Sequence, residues 1–264
     1  MRAGKPSQTA SFVALVRALA DDGLLGMPGF RDPPVARLLS PGWRLARRAM
    51  AAMLGRARAE ERAQAAARML TIPLRVVAID REVERAVAAG ARQLVVLGAG
   101  LDTRALRMRA LAGVDVYEVD HPDTQAYKRR AANGVPRVAR SLTFVGVDFE
   151  RDDVGRRLAE AGHHAGLPTV WIWEGVVMYL TDDALRSTLA AVARASAAGS
   201  TLLVHYPAPR AGRPRDRDAI WQQVMLRAWG EPQVGLRTPE AMHAALARAG
   251  FHVERDTRPA AWAA

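Results

Sequence analysis

Two patterns of apolar and polar residues divide the chain. From Gln93 onward, short apolar runs that end in Gly, Asp or Glu alternate with stretches of helical spacing. Short runs rich in β-branched residues are typical of strands that are buried on both faces of a parallel sheet. Strands alternating with helices of this length predict a doubly wound, mainly parallel α/β fold. The predicted strands are 94–97, 114–119, 142–147, 169–173, 201–206 and 251–254.

The first 92 residues show helical spacing and no strand pattern. Apolar residues recur at helical intervals over 9–20, and a run of Ala, Arg, Met and Glu predicts one long helix over 46–69. Pro73 can lie in the first turn of a further helix that reaches residue 89. Because these helices have no sheet of their own, we expect residues 1–92 to form an N-terminal helical cap on a domain of residues 93–264.

Residues 207–237 interrupt the alternation directly after the fifth predicted strand. A loop of this length inside a compact domain is usually functional, so we expect a lid insertion above the ligand-binding edge of the sheet. Helical spacing in its second half places Trp221 and Met225 on one face. They are the predicted contacts of a substrate, and packing of this face against the N-terminal helices is the alternative.

The composition removes several classes of chemistry. The chain of 264 residues has no cysteine, which excludes disulfides, thiolate zinc sites and cysteine nucleophiles. Its six histidines are scattered apart from His163 and His164. We expect that pair to lie in a Gly-flanked surface turn, and we predict no metal site.

The basic charge raises the question of a nucleic-acid partner. The formal net charge is +11, but the arginines are interleaved with alanines and form no dense basic run. We therefore predict no nucleic-acid partner. No segment is long and apolar enough to span a bilayer, and no signal-peptide cleavage site is evident. The expectation is a cytoplasmic protein without a membrane partner, while the oligomeric state stays open.

The first predicted strand runs directly into a glycine turn. Residues 94–104 read Leu-Val-Val-Leu-Gly-Ala-Gly-Leu-Asp-Thr-Arg. Gly98 and Gly100 permit a tight turn and close approach of a ligand to the backbone. Asp102 is a suitable N-cap for a helix predicted over 103–111. A strand, a glycine turn and a helix in this order are typical of nucleotide-binding units.

Acidic residues follow the next three predicted strands. Glu118 and Asp120 end the second strand, Asp148 follows the third, and Glu174 follows the fourth. In a right-handed parallel sheet these ends meet at one edge. Helix capping explains any one of them, but an acidic edge also repels phosphate and suits ribose hydroxyls, an adenine amino group and positive charge. S-Adenosylmethionine carries all three, and Phe149 could lie against its adenine ring.

Several motifs together resemble a known family. They are Gly98–Arg104, Tyr-Glu-Val-Asp-His-Pro over 117–122, Val-Asp-Phe over 147–149, and Glu-Gly-Val-Val-Met-Tyr-Leu over 174–180. The chain resembles the leucine carboxyl methyltransferase-like S-adenosylmethionine-dependent methyltransferases over about residues 8–206, and within them the bacterial polyketide O-methyltransferase branch.

The resemblance implies a Rossmann-like class I methyltransferase fold and S-adenosylmethionine as cofactor. It also implies roles for matching positions in this chain. Asp120 would hold the ribose, Asp148 and Phe149 the adenine, Arg75 the methionine carboxylate, Gly98 and Gly100 the methionine part through the backbone, and Glu174 would lie near the donor's amino group.

Methyl transfer from a sulfonium needs alignment and exclusion of water more than proton chemistry. A carboxylate acceptor needs no general base, whereas a hydroxyl acceptor does, and His205 and Tyr206 are then the candidate catalytic residues. We therefore predict an O-methyltransferase for a small-molecule carboxylate or hydroxyl, with polyketide or other secondary metabolism as its setting. The alternatives are a non-catalytic S-adenosylmethionine-binding module and, less favoured, a nucleic-acid methyltransferase.

Overall fold

The structure is a computed structural model that describes residues 7–209, 224 and 226–263. Its central element is a five-stranded sheet in which all neighbouring strands are parallel. The strands are β1 (Gln93–Leu97), β2 (Asp115–Asp120), β3 (Ser141–Gly146), β4 (Thr169–Glu174) and β5 (Thr201–His205). The order β3-β2-β1-β4-β5 places the first strand in the middle and confirms the predicted doubly wound α/β fold.

The register of the sheet aligns the carboxyl ends of four strands. Leu97 of β1 lies opposite Val119 of β2 and Trp173 of β4, and Glu174 lies opposite His205 of β5. Ligands of open parallel sheets bind outside these carboxyl ends. The turn after β1 and the last residues of β2, β4 and β5 therefore share the edge where a ligand is expected.

Helices pack against both faces of the sheet. They are α1 (Gln8–Asp21), α2 (Val35–Leu38), α3 (Pro41–Arg56), α4 (Ala59–Met69), α5 (Thr71–Ala88), α6 (Arg104–Arg107), α7 (Pro122–Ala131), α8 (Val154–Glu160), α9 (Asp182–Arg194) and α10 (Pro239–Arg248). Successive β1 residues point to opposite faces, so Val95 and Leu97 belong to the core under α8, α9 and α10, while Leu94 and Val96 belong to the core beside α5.

The predicted N-terminal helices are present and share a core with the sheet domain. Their core includes Leu101, which directly follows the glycine turn. The buried Arg17 guanidinium of α1 donates from Nε to Asp32 Oδ2 at 2.8 Å and from Nη1 to the Leu101 carbonyl at 3.0 Å. Because a buried charge requires such partners, α1 is fixed directly on the turn. The division of the chain at residue 92 remains a prediction.

The long helix predicted over 46–69 is two helices. Ala57 and Arg58 have extended backbone between α3 and α4. The Glu61 carboxylate accepts from the Arg58 backbone N–H at 3.1 Å and starts α4 with a capping box. The Ala- and Arg-rich composition concealed this break because both flanking segments favour helix.

Two further elements differ from their predictions. The helix predicted over 103–111 is wrong in length, because α6 ends at Arg107 and a 3-10 helix, Arg109–Gly113, follows. The predicted strand at 251–254 is wrong, since these residues have no strand structure. The Phe251 N–H bonds instead to the Leu246 carbonyl at 3.0 Å and closes the end of α10.

His163 is buried, which corrects the expectation of a surface turn. Its side chain packs against the rings of Tyr117 and Trp171, with centroids 5.6 and 5.2 Å away. Nε2 lies 3.2 Å from the Thr169 hydroxyl oxygen. Burial lowers the pKa of His163 to about 4, with a smaller contribution from His164.

We expect the protein to lose stability as the pH falls from about 6.5 towards about 4. His163 stays neutral in the folded chain over this range, because burial lowers its pKa. The unfolded chain binds a proton there, so unfolding becomes more favourable as the pH falls. Urea unfolding at several pH values measures this loss. His163→Gln should reduce the loss, the exposed control His252→Gln should not, and identical pH dependence in both variants would contradict the assignment.

Candidate functional site

The turn after β1 is restricted to glycine at two positions. Gly98 and Gly100 have φ angles of 68° and 49°. A Cβ on Gly98 would lie 2.1 Å from Val176 Cγ2, and one on Gly100 would lie 3.0 Å from the Cβ of Ala10 on α1. The turn is therefore closely packed between the cap and the loop after β4, and its backbone lies at the ligand-binding edge.

The Asp120 carboxylate fixes the conformation of this turn. Oδ2 accepts from the Gly100 N–H at 2.5 Å, and Oδ1 accepts from the His121 N–H at 2.6 Å. Burial raises the pKa of Asp120, while these two backbone donors act in the opposite direction. Each carboxylate oxygen can accept a further hydrogen bond. Asp120 is thus suited to receive two neighbouring hydroxyls while it holds the turn.

Glu118, the other acid at the end of β2, belongs to a buried ion pair. Its carboxylate contacts Lys128 Nζ at 2.5 Å, and both side chains are 2% exposed. Burial raises the pKa of Glu118 to about 7 against the effect of Lys128. Because Glu118 is buried inside the protein, Asp120 is the acidic residue of β2 that lies at the carboxyl edge of the sheet.

Asp148 and Phe149 lie in the loop after β3. The Asp148 carboxylate accepts from the Glu150 N–H at 3.1 Å, and the Asp148 N–H donates to Asp152 Oδ2 at 2.8 Å. Phe149 is partly buried against the core under α8 and α9. These contacts order the loop, and the predicted adenine contacts of Asp148 and Phe149 remain predictions.

Arg75, Glu174 and His205 meet at the ends of β4 and β5. Arg75 reaches from α5 and donates from Nε to Glu174 Oε1 at 2.7 Å. Its Nη1 atom lies 3.5 and 3.4 Å from the two ring nitrogens of His205. Burial opposes ionisation of Glu174, but the charges of Arg75 and Arg104 hold the pKa of Glu174 well below its ordinary value. The structure therefore brings together three residues predicted from distant parts of the sequence.

The two candidate bases have different surroundings. Burial, followed by the charge of Arg75, lowers the pKa of His205 to about 3. The Tyr206 hydroxyl donates to Asp256 Oδ2 at 2.5 Å, on the C-terminal segment. Burial and this hydrogen bond raise the pKa of Tyr206. At neutral pH His205 is therefore a weak base beside a cation, and Tyr206 stays protonated and hydrogen-bonded to Asp256.

The buried Arg104 and the partly buried Asp80 are site residues that the sequence did not predict. Arg104 Nε donates to Asp80 Oδ1 at 2.7 Å, Nη1 contacts Asp102, and Nη2 donates to Glu174 Oε2 at 3.0 Å. The Arg104 side chain is 2% exposed. The available signal was an arginine two residues after Asp102 in the glycine motif, but sequence spacing does not reveal contacts with α5 and β4.

The described second part of the predicted lid, residues 231–237, contacts both the loop after β4 and the start of α1. Arg237 donates to the carbonyls of Val177, Gly235 and Leu180 at 2.6–3.1 Å. The Glu231 carboxylate accepts from the Gln8 N–H at 2.9 Å, at the start of α1. Residues 231–237 are therefore held against the loop after β4 and the start of α1, and their role as part of a lid remains a prediction. Trp221 and Met225 lie outside the described residues.

The chemistry of two described side chains fits the roles that the resemblance implies. A carboxylate such as Asp120 accepts hydrogen bonds from hydroxyls, and a guanidinium such as Arg75 pairs with carboxylates. Binding of the ribose by Asp120 and of the methionine carboxylate by Arg75 remain predictions. Glycine at positions 98 and 100 lets the turn keep the conformation that Asp120 holds.

Within the described ranges, no group of three or more His, Asp and Glu side chains could bind a metal ion. No helix of those ranges is long and apolar enough to cross a membrane.

Comparisons with known proteins place the chain in a family. The sequence pattern of the leucine carboxyl methyltransferase family matches residues 10–193. A Frankia alni protein provisionally named an S-adenosyl-L-methionine-dependent methyltransferase is 39% identical over 199 residues, which cover 74% of this chain and 66% of that protein. A Streptomyces coelicolor protein with the same provisional name is 41% identical over 133 residues, which cover 50% of this chain and 47% of that protein. The chain therefore spans about half to two thirds of the length of these curated relatives.

Solved structures of low sequence identity also align with the chain. One is a crystal structure from Thermobifida fusca, provisionally described as a methyltransferase. It aligns over 98% of this chain and 90% of its own, with a TM-score of 0.49 and 18% identity.

The parallel sheet and the glycine turn define a doubly wound, Rossmann-like fold, and the names of the curated relatives give S-adenosylmethionine as the cofactor of this class of protein. The family match covers well over half of the chain, and the chain belongs to the leucine carboxyl methyltransferase family.

Proposed function

We propose that the protein transfers a methyl group from S-adenosylmethionine to an oxygen atom of a small molecule, and that a carboxylate is the preferred acceptor. The bound cofactor supplies an electrophilic methyl group on a sulfonium. The chain would hold the ribose through Asp120 and the methionine carboxylate through Arg75. An apolar acceptor surface that includes Trp221 and Met225, and a setting in polyketide or other secondary metabolism, are part of the proposal.

The position of the His205 ring, 3.4–3.5 Å from the Arg75 guanidinium, is the observation that supports a carboxylate acceptor. A general base is most effective when its pKa lies near the working pH, whereas the pKa of His205 is lowered to about 3 by burial and by Arg75. The Tyr206 hydroxyl already donates a hydrogen bond to Asp256. A carboxylate needs neither residue as a base, because it is a nucleophile without losing a proton at neutral pH.

Transfer of labelled methyl groups to paired acids and phenols tests this proposal. For the best acid, we expect kcat/KM to change little between about pH 6 and 8, since carboxylic acids are ionised throughout this range. The matched phenol should react far more slowly, with a rate that rises with pH as the phenol ionises.

Each other outcome identifies an alternative. Methylated phenol as the main product at pH 7 would contradict the preference for carboxylates. Donor binding without turnover on any acceptor would favour the non-catalytic binding module. Turnover on nucleic acid with a steep dependence on salt would favour the nucleic-acid methyltransferase.

A further inference from the structure

We propose that Arg104 is a positioning residue, which shares Glu174 with Arg75 and so keeps the Nη side of Arg75 available for the carboxylate of the methyl donor. The proposal rests on the proposed function, because it assigns that carboxylate to Arg75. The new element is the role of Arg104, which follows the glycine turn. Arg104 and Arg75 each bind one oxygen of the Glu174 carboxylate.

Arg104 binds carboxylates from three parts of the fold. Its guanidinium contacts Asp80 on α5, Asp102 after the glycine turn and Glu174 at the end of β4. The Asp102 carboxylate also accepts from the Arg104 backbone N–H at 2.7 Å. With three acidic partners and 2% side-chain exposure, Arg104 has one fixed arrangement, and Glu174 Oε2 is held by it.

Arg75 consequently binds Glu174 through one nitrogen only. Nε donates to Oε1 at 2.7 Å. Within the part of the chain that the structure describes, the Nη atoms of Arg75 have polar contacts only with His205. Nη1 lies 3.4–3.5 Å from the two ring nitrogens of that residue. Burial and the adjacent guanidinium lower the pKa of His205, so this imidazole is neutral and does not neutralise Arg75. The Nη side therefore keeps its capacity for an anionic partner.

The expected consequence of losing Arg104 follows from guanidinium geometry. Arginine and a carboxylate prefer a bidentate pair with two parallel hydrogen bonds. If Oε2 were released, Glu174 could bind both Nε and an Nη atom of Arg75. That pair would compete with any carboxylate arriving from the donor. Arg104 prevents this competition by occupying Oε2.

Calorimetric titration with two ligands tests the proposal. S-Adenosylhomocysteine carries the amino acid carboxylate, and decarboxylated S-adenosylhomocysteine keeps the amine but lacks it. In Arg104→Lys, a single ammonium cannot hold all three acids. We expect binding of S-adenosylhomocysteine to weaken about tenfold, the size of one charge-assisted hydrogen bond. Binding of the decarboxylated ligand should change by less than about twofold.

Arg107→Lys is the matched control. Arg107 lies one turn further along, with Nη2 2.6 Å from Asp80 Oδ2 and Nε 3.2 Å from the Thr103 hydroxyl. Among the described residues its acidic partners are Asp80 and Asp32, and it does not contact Glu174. This variant perturbs the same buried cluster and should keep the native ratio of the two affinities. Equal weakening of both ligands in Arg104→Lys, or the same selective loss in Arg107→Lys, would overturn the proposal.

A second variant keeps the test decisive if Arg104→Lys does not fold. Glu174→Gln removes the charge that attracts Arg75, so the preference for S-adenosylhomocysteine over its decarboxylated form should rise severalfold. A purely structural role changes both affinities alike, and that result would overturn the proposal. Failure of the native protein to bind S-adenosylhomocysteine at all would instead contradict the proposed function, and the inference with it.

Discussion

Replacement of Asp120 by alanine is expected to weaken S-adenosylhomocysteine binding by roughly 100-fold, or about 3 kcal/mol. Two hydrogen bonds from ribose hydroxyls to a charged acceptor would be lost. The Gly100 and His121 N–H groups would also lose the carboxylate that they share. The glycine turn would then be less ordered in the free protein, and ordering it on binding would cost part of the binding free energy. Calorimetric titration of the variant measures the loss.

Asp115→Ala is the matched control for this experiment. Asp115 lies at the opposite end of the same strand and pairs with Arg140 at the surface. Its removal should leave ligand affinity unchanged within about twofold. Native affinity in Asp120→Ala would show that the donor does not bind at the carboxyl end of β2 as proposed.

Gly98→Ala is expected to have the other large effect, by destabilising the fold and abolishing donor binding together. The residue has a φ of 68°, and an added Cβ would lie 2.1 Å from Val176 Cγ2. The positive φ alone costs about 1–2 kcal/mol. Displacement of Val176 and of the loop after β4 would add about 1–3 kcal/mol for overpacking. Thermal unfolding and calorimetric titration of the same sample measure both effects.

Gly134→Ala separates the contribution of the backbone from that of packing. Gly134 has a φ of 72°, but nothing lies within 4 Å of its added Cβ. This control should show only the smaller destabilisation and should bind the donor normally. If Gly98→Ala were no less stable than Gly134→Ala, the close packing of the turn against Val176 would be contradicted.

The sheet could be predicted from sequence because its signals are local. The apolar run of β1 is buried at every position, and the Gly-Ala-Gly turn ends it. The prediction of a strand at 251–254 failed, because Phe251 and Val253 are apolar without belonging to a strand. They pack against the core under α10 without strand pairing. An apolar run shows that residues are buried, but it does not show which backbone groups they pair with.

Those site residues that are the last residue of a strand could be placed from the sequence, because the strand itself fixes their position. Asp120 and Glu174 were expected at the edge because β2 and β4 end there, and the resemblance added Arg75. The contacts of Arg104 with Asp80 and Glu174 were not predictable, because they join residues 24 and 70 positions apart. Such pairs have no periodicity, and an arginine with 2% side-chain exposure contradicts the general preference of charged residues for the surface.

Titration of the native protein with S-adenosylhomocysteine measures whether the carboxyl edge of the sheet binds the methyl donor. We expect one site per chain with a dissociation constant in the low micromolar range, about −8 kcal/mol. We also expect the melting temperature to rise with ligand concentration, since the ligand binds only the folded chain. No heat of binding and no shift in melting temperature at about 1 mM ligand would contradict it.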